Sequence, residues 1–124
     1  MNAFVGAIDN NGGAINKAWQ QFLKLSLVRN PSTILVFLDE HPDSINDGYF
    51  INRDYYPEWH DLPASYHNGA AAFSFADGHS ALHRWIVAST VRPPQPDAAG
   101  LPIALPPGQR TDLEWVVNHM SIDK

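Results

Sequence analysis

Apolar residues are grouped in short runs along the chain, and two of these runs predict strands. Thr33–Leu38 is apolar and β-branched and lies between Pro31 and two acidic residues, which predicts a buried central strand. Ala71–Ala76 is apolar and aromatic, and the Asp77-Gly78 pair that follows is a turn signal because glycine accepts a positive φ. The alternation over 79–86 then predicts the second strand of a hairpin.

A two-residue turn at Asp77-Gly78 fixes the predicted register of this hairpin. Small residues of the first strand would pair with the histidine-bearing side of the second strand: Ala76 with His79, Ser74 with Ala81 and Ala72 with His83. Phe73 and Phe75 would lie on the opposite, core-facing side of the hairpin. The two imidazoles would therefore face small side chains, which leaves room beside them.

Both ends of the chain are predicted to contain a helix. Lys17–Leu27 carries a rough helical stripe of apolar residues and follows Asn16, a residue suited to an N-cap. The alternative is that 25–28 is already extended. Asp112–His119 predicts a short C-terminal helix, with Thr111 as the first residue of a capping box.

These elements predict an α+β fold, in which the N-terminal helix packs on a small antiparallel sheet of three or four strands. Tyr49–Asn52 would add a short strand to this sheet. Residues 92–109 are rich in proline, which predicts an extended segment without regular structure before the C-terminal helix. The length of 124 residues predicts one domain spanning 1–124.

Composition and charge exclude several classes of function. The net charge of −5 argues against a nucleic-acid partner, because proteins that bind the phosphate backbone need a positive surface. The chain has no cysteine, which excludes disulfides, thiolate metal sites and a cysteine nucleophile. No apolar run is long enough to cross a bilayer, and the first residues lack the features of a signal peptide, so no membrane contact is predicted.

The acidic residues are concentrated in one part of the chain. Seven of the thirteen fall between residues 39 and 61, against a single arginine. These are Asp39, Glu40, Asp43, Asp47, Asp54, Glu58 and Asp61. Such a concentration either repels itself in solvent or holds a cation.

A cation site is predicted where the acidic loop approaches the ends of the strands. The candidate metal ligands share oxygen or imidazole donors and are Asp39, Glu40, Asp43, Asn46, Asp47, His67, Asp77 and His79. Oxygen donors suit Ca²⁺, whereas a carboxylate with two imidazoles suits Zn²⁺ or another transition metal. In the alternative interpretation no ion binds: Asp77 only favours the turn, and Asp39 only caps a loop.

The histidines also allow a catalytic interpretation. The chain has no Gly-x-Ser-x-Gly elbow, so catalysis would depend on a metal-activated water with His67 or His79 as the base. That chemistry suits hydrolysis of a small ester or lactone. The alternative is that His67 is a hydrogen-bonded structural residue that fixes the loop before the hairpin.

The spacing of His67, nine further residues and Asp77-Gly78 resembles the H-X9-DG motif of prepilin-type, pseudopilin-like proteins. The stretches 30–40, 44–48 and 62–67 are similar to the same family, and the resemblance covers residues 30–86. It implies the globular head of a type II secretion pseudopilin without its N-terminal hydrophobic helix. It also implies Ca²⁺, which major pseudopilins bind in a loop of the head, and protein partners in a pseudopilus-like assembly.

Two functions are therefore expected, in different classes. The first is a calcium-stabilised, pseudopilin-like interaction module in a secretion or pilus-type assembly. The second is a metal-dependent hydrolase of a small ester or lactone, such as an acyl-homoserine lactonase, which gains support because a head without its anchor cannot join a filament. The expected location is the periplasm or cell surface for an anchored prepilin, and the cytoplasm if the chain is the complete product.

Overall fold

The computed structural model describes residues 1–8, 15–53, 55–95 and 100–124. Asp54 of the acidic group and residues 96–99 of the Pro-rich segment lie outside these ranges. Within them the regular elements are β1 (Leu35–Leu38), β2 (Glu58–Trp59), β3 (Ala70–Phe75), β4 (Ser80–Arg84), β5 (Ile103–Ala104) and the helix α1 (Thr111–Met120).

The main sheet has three antiparallel strands in the order β1-β3-β4. The central strand β3 alternates as the sequence suggests, with Ala71, Phe73 and Phe75 buried on the inner face. β1 is irregular, because its register against β3 shifts between Leu35 and Phe37. A bulge of this kind turns the Phe37 side chain outwards, where it is exposed.

The helix α1 covers the inner face of this sheet. Leu113, Val116, Val117 and Met120 are buried in the core, and the helix itself confirms the predicted C-terminal helix. The predicted cap is wrong: Arg110 is the N-cap residue, and no side-chain hydrogen bond caps the helix.

The N-terminal helix predicted over 17–27 is wrong. Trp19 forms an isolated bridge with Asp123, and Phe22 forms one with Val5. Only a single 3₁₀ turn occurs there, and Leu25 within it is 74% exposed. Pairing with both chain termini satisfies the backbone of this segment and therefore overrides its weak helical stripe. The described fold is mostly sheet with one short C-terminal helix.

The hairpin exists, but its predicted register is wrong by one residue. Phe75 pairs with His79 across a loop of Ala76-Asp77-Gly78, and the Gly78 N–H donates to the Phe75 carbonyl at 3.0 Å. Gly78 has a φ of +91°, as the last position of a three-residue hairpin loop requires. A shift of one residue reverses the faces, so His79 and His83 lie on the inner, aromatic side.

A second, smaller sheet joins β2 to β5. β5 lies within the segment that was predicted to lack regular structure, so this part of the prediction is corrected. Tyr49–Asn52 is not a strand either, since only Phe50 forms a bridge there, with Asn2. In the described ranges no helix has the length and apolar character needed to span a membrane.

Candidate functional site

The antiparallel pairing of β1 and β3 brings Asp39 and His67 together. Asp39 follows the last residue of β1, and His67 precedes β3. Because the two strands are antiparallel, both residues lie at the same end of the sheet. The His67 Nε2 and Asp39 Oδ2 atoms are 3.0 Å apart. The same Oδ2 accepts the backbone N–H of Ala72 at 3.3 Å, which ties the carboxylate to the central strand.

A cleft of about 550 Å³ opens beside this pair. The cleft is lined by acidic, aromatic and apolar residues, namely Met1, Leu38, Asp39, Glu40, Ile45, Asp47, Gly48, Tyr66 and His67. Four of the eight predicted metal ligands therefore surround one cavity, namely Asp39, Glu40, Asp47 and His67. Asn46, another of the eight, is exposed in the loop between Ile45 and Asp47.

Glu40 has the most perturbed carboxyl group of the cleft. Burial raises its pKa to about 7, and the nearby charges of Asp61 and Asp47 act in the same direction. The Ser44 hydroxyl, which donates to Oε1 at 2.9 Å, opposes this rise. Glu40 is therefore partly protonated near neutral pH, which sequence spacing did not indicate.

Asp61 and Ser44 are functional candidates that sequence reasoning missed. Asp61 is buried, accepts the Ile51 N–H at 2.6 Å, and has its pKa raised mainly by burial. Ser44 is buried as well, and its hydroxyl accepts the Leu62 N–H at 3.2 Å. In the sequence, Asp61 is distinguished only as a member of the acidic stretch, and Ser44 only as a residue of the loop that joins β1 to β2.

Asp43 is directed to a different cavity, of about 360 Å³, which it lines with His41. Its Oδ2 accepts the Gln95 N–H at 2.6 Å. The buried His41 ring accepts the Asp43 N–H at Nδ1 and donates from Nε2 to the Arg92 carbonyl, a pattern that fits the neutral ring. Asp43 therefore helps to hold the chain at 92–95 against the acidic loop.

Asp77 and His79 form a second pair at the far end of β3. The Asp77 Oδ1 lies 2.6 Å from His79 Nδ1 and accepts the His79 N–H at 3.1 Å. These hydrogen bonds lower the pKa of Asp77. Asp77 is five residues beyond Ala72, which places it about 16 Å along the strand from the Asp39–His67 pair.

The predicted convergence of all these ligands does not occur, and the topology explains why. The carboxyl ends of β1 and β3 point in opposite directions because the strands are antiparallel. Among the residues that the structure describes, no three His, Asp or Glu side chains are close enough to hold one ion. A shared site for Asp39 and Asp77 would have needed parallel strands.

Three imidazoles are stacked on aromatic rings along the inner face of the sheet. His79 lies on Phe75 with ring centroids 4.3 Å apart, and His83 lies on Trp115 at 3.6 Å. His119, one helical turn after Trp115, continues the stack at 4.2 Å. Burial lowers the pKa of His83, the charge of His119 acts in the same direction, and Asp112 opposes it. His79, just before β4, and His83 within it thus pack on aromatic rings.

The H-X9-DG spacing corresponds to the length of one strand. His67 and Asp77 belong to different Asp–His pairs, and β3 with its flanking residues separates them. Comparison with known proteins adds no further assignment, since no family model, curated protein or solved structure matches the chain.

Proposed function

We propose that this chain is a pseudopilin-like head domain that acts as an interaction module in a secretion or pilus-type assembly. The observation behind this proposal is the exposure of large apolar side chains on the outer face of the three-stranded sheet. Phe37 on β1 is 57% exposed and Leu82 on β4 is 64% exposed, although both are large and apolar. Apolar surface of this kind commonly marks a protein–protein contact.

The two faces of the sheet differ in what covers them. α1 and the stacked rings of His83 and Trp115 pack on the inner face. On the outer face only the small residues Ala72 and Ser74 lie between the strands that carry Phe37 and Leu82, and a depression of about 250 Å³ opens there. This flat, partly apolar surface suits the side of another folded chain better than it suits a small substrate.

The two Asp–His pairs support this function by holding the sheet in shape. One pair ties the loop before β3 to the end of β1, and the other closes the hairpin turn. Both histidines of these pairs are then structural, in line with the non-catalytic interpretation of the motif. The surface that they support is the functional part of the proposal.

A chimera tests this role directly. The hydrophobic N-terminal helix of a type II secretion pseudopilin is fused before residue 1, and incorporation into sheared filaments is measured. We expect the chimera to enter filaments and Phe37→Asp to reduce its incorporation. Leu25→Asp is the matched control, because Leu25 is at least as exposed but lies on a 3₁₀ turn outside the sheet. A folded chimera that stays out of filaments, or equal incorporation of both variants, contradicts the proposal.

A stabilising Ca²⁺ at the acidic cleft is part of the proposed function. Asp39, Glu40 and Asp47 would supply the carboxylate oxygens that Ca²⁺ prefers, and the negative charges of Asp61 and Asp47 near Glu40 would favour a positive charge there. Since the described side chains do not enclose an ion, backbone carbonyls and water would complete its coordination. Asp77 and His79 are too distant to take part.

Thermal melts with added Ca²⁺, and separately with Zn²⁺, test the ion. We expect Ca²⁺ to raise the melting temperature, because an ion that binds only the folded state stabilises it. Glu40→Gln should lose that rise, whereas Asp77→Asn, at the other end of β3, should keep it. No rise with either metal, or the same rise in Glu40→Gln, argues against the site.

The hydrolase is the second candidate, and one observation favours it. The Asp39–His67 pair and a carboxyl group with a pKa of about 7 line the same cleft. In that site His67 would deprotonate water with Asp39 orienting its ring, and Glu40 would exchange protons at neutral pH. His79 has no role there.

Assays with small esters and acyl-homoserine lactones, with and without Ca²⁺ or Zn²⁺, test this candidate. Activity that His67→Gln removes while the fold is retained would support it. The matched variant is His79→Gln, which changes the other Asp–His pair and should leave such activity intact. Absence of turnover in the unmodified chain under all these conditions rejects it.

A further inference from the structure

The outer edge of β4 is open and unprotected in the described part of the chain. β4 has β3 on one side and no neighbour on the other. The Phe75 N–H bonds the His79 carbonyl and the Trp85 N–H bonds the Gly69 carbonyl, so odd-numbered residues of the hairpin's second strand face β3. The N–H and C=O groups of Ser80, Leu82 and Arg84 therefore point outwards.

The two edge strands of this sheet differ in how far their outward backbone groups are already bonded. At β1 the backbone N–H of Asn2 bonds the Val36 carbonyl, its side chain bonds the Leu35 carbonyl, and a bulge interrupts the strand. β4 pairs without a register shift and contains neither proline nor lysine. Bulges, prolines and lysines are the usual means by which edges avoid further pairing, so the edge of β4 remains able to accept a strand.

We infer that β4 pairs antiparallel with β4 of a second copy of this chain, about a two-fold axis through Leu82. This inference rests on the proposed role as an interaction domain and names one of its partners. Leu82 would lie opposite Leu82 of the second copy, and Ser80 opposite Arg84. Three such pairs with two bonds each give about six hydrogen bonds between the copies.

Charge complementarity selects this partner and this direction. Asp77 precedes β4 and Arg84 ends it, so the strand is acidic at one end and basic at the other. Antiparallel pairing of two copies places each Arg84 towards the acidic end of the other strand. Parallel pairing would place like charges side by side. The exposed Leu82 side chains would also cover each other on the outer face.

Single cysteines test the symmetry, since the chain has none of its own. In the paired dimer the two residues at position 82 would have Cα atoms about 5.5 Å apart, within disulfide range. The residues at position 86 would be about 27 Å apart. We expect Leu82→Cys to cross-link under mild oxidation and Ile86→Cys, which is also exposed, to remain monomeric. Equal cross-linking of both, or of neither, overturns the inference.

Sedimentation over a concentration series supplies the second readout. The unmodified chain should shift from 13.8 kDa towards twice that mass. Leu82→Pro should stay monomeric and folded by circular dichroism, because proline removes an N–H that faces away from β3. Should Leu82→Pro fail to fold, Leu82→Lys serves in its place. A chain that stays monomeric at every concentration overturns the inference. The filament test changes Phe37 on β1 and measures incorporation, so its outcome is independent of pairing at β4.

Discussion

Two Asp–His pairs stand at the two ends of β3, and they are held together in different ways. Asp39 and His67 are far apart in sequence and meet only because β1 and β3 are antiparallel. Asp77 and His79 are two residues apart and meet within one turn. The first pair therefore reports on the tertiary fold, and the second on local backbone geometry.

The surroundings of the two pairs also respond to pH in opposite senses. The folded-state pKa of Asp77 is lowered, so its contribution to stability is present above its unfolded pKa of 3.8 and is lost as the pH falls. Glu40, beside the Asp39–His67 pair, has a raised pKa, so its ionisation opposes folding as the pH rises. Ionised Asp77 therefore stabilises the turn end of the sheet, whereas ionised Glu40 destabilises the cleft end.

The largest effect should come from the aromatic packing on the inner face of the sheet, where His83 pairs with Ala71 near the Asp39–His67 end. Trp115→Ala removes the ring that stacks on His83 and packs against Phe73, and we expect a loss of about 2–3 kcal/mol in the free energy of unfolding. Denaturant titration measures this loss. Leu25→Ala, at a well-exposed apolar residue, should cost far less. Equal losses in the two variants would mean that the ring stack does not support the sheet.

The next effect concerns the backbone of the turn itself. Gly78 has a φ of +91° with open space where a Cβ would lie, so Gly78→Ala should cost about 1–2 kcal/mol through backbone strain alone. Gly48→Ala is the matched control, because that glycine also has open space but no positive φ. Similar melting temperatures for both variants would contradict the assigned loop geometry.

Sequence reasoning succeeded where the signal was local and failed where tertiary pairing decided. The turn at Asp77-Gly78 and the helix at 111–120 are each specified by residues within the segment itself, and both occur. The hairpin register was missed because a two-residue and a three-residue loop suit the same Asp-Gly pair. Phe73 and Phe75 face the core in both registers, and the two differ only in which face of the second strand turns inward. The segment 17–27 was misread because its partners, at both chain ends, are distant in sequence.

The candidate site divides in the same way. The expected convergence grouped His67 with Asp39, Asp77 and His79, and of these three only Asp39 lies beside it. Asp77 was placed there incorrectly, because in an antiparallel sheet β3 carries it to the end opposite Asp39. The perturbed pKa of Glu40 depends on burial and on Asp61, neither of which a linear pattern reports.

A smaller effect is expected from the long-range pair. Asp39→Ala removes a half-exposed hydrogen bond to His67 and a weak bond to the Ala72 N–H, so we expect a loss of about 1 kcal/mol. A double-mutant cycle with His67→Ala isolates the direct interaction, which should couple the two residues by less than about 1 kcal/mol. The control cycle pairs Asp39→Ala with His79→Ala. Coupling in that cycle as strong as in the first would place the two Asp–His pairs in one network, against the geometry.

A gain in stability, rather than a loss, is expected at Glu40. Its pKa is 4.5 in the unfolded chain and about 7 in the folded one, so between these values the folded state holds a proton that the unfolded state has released. Stability therefore falls as the pH rises from 4.5 to 7 and is level above that range. Glu40→Gln keeps an acceptor for the Ser44 hydroxyl but cannot ionise, so it should be more stable than the unmodified chain at alkaline pH.

The expected gain for Glu40→Gln is about 1 kcal/mol, since the side chain is only half-buried and solvent screens its charge. The advantage should vanish below pH 4.5, where both side chains are neutral. Urea unfolding at a series of pH values measures it, and Glu114→Gln, an exposed carboxyl on α1, is the control. If Glu40→Gln follows the same pH dependence as the unmodified chain, the cleft does not disfavour ionisation, and the electrostatic reason for a cation there is lost as well.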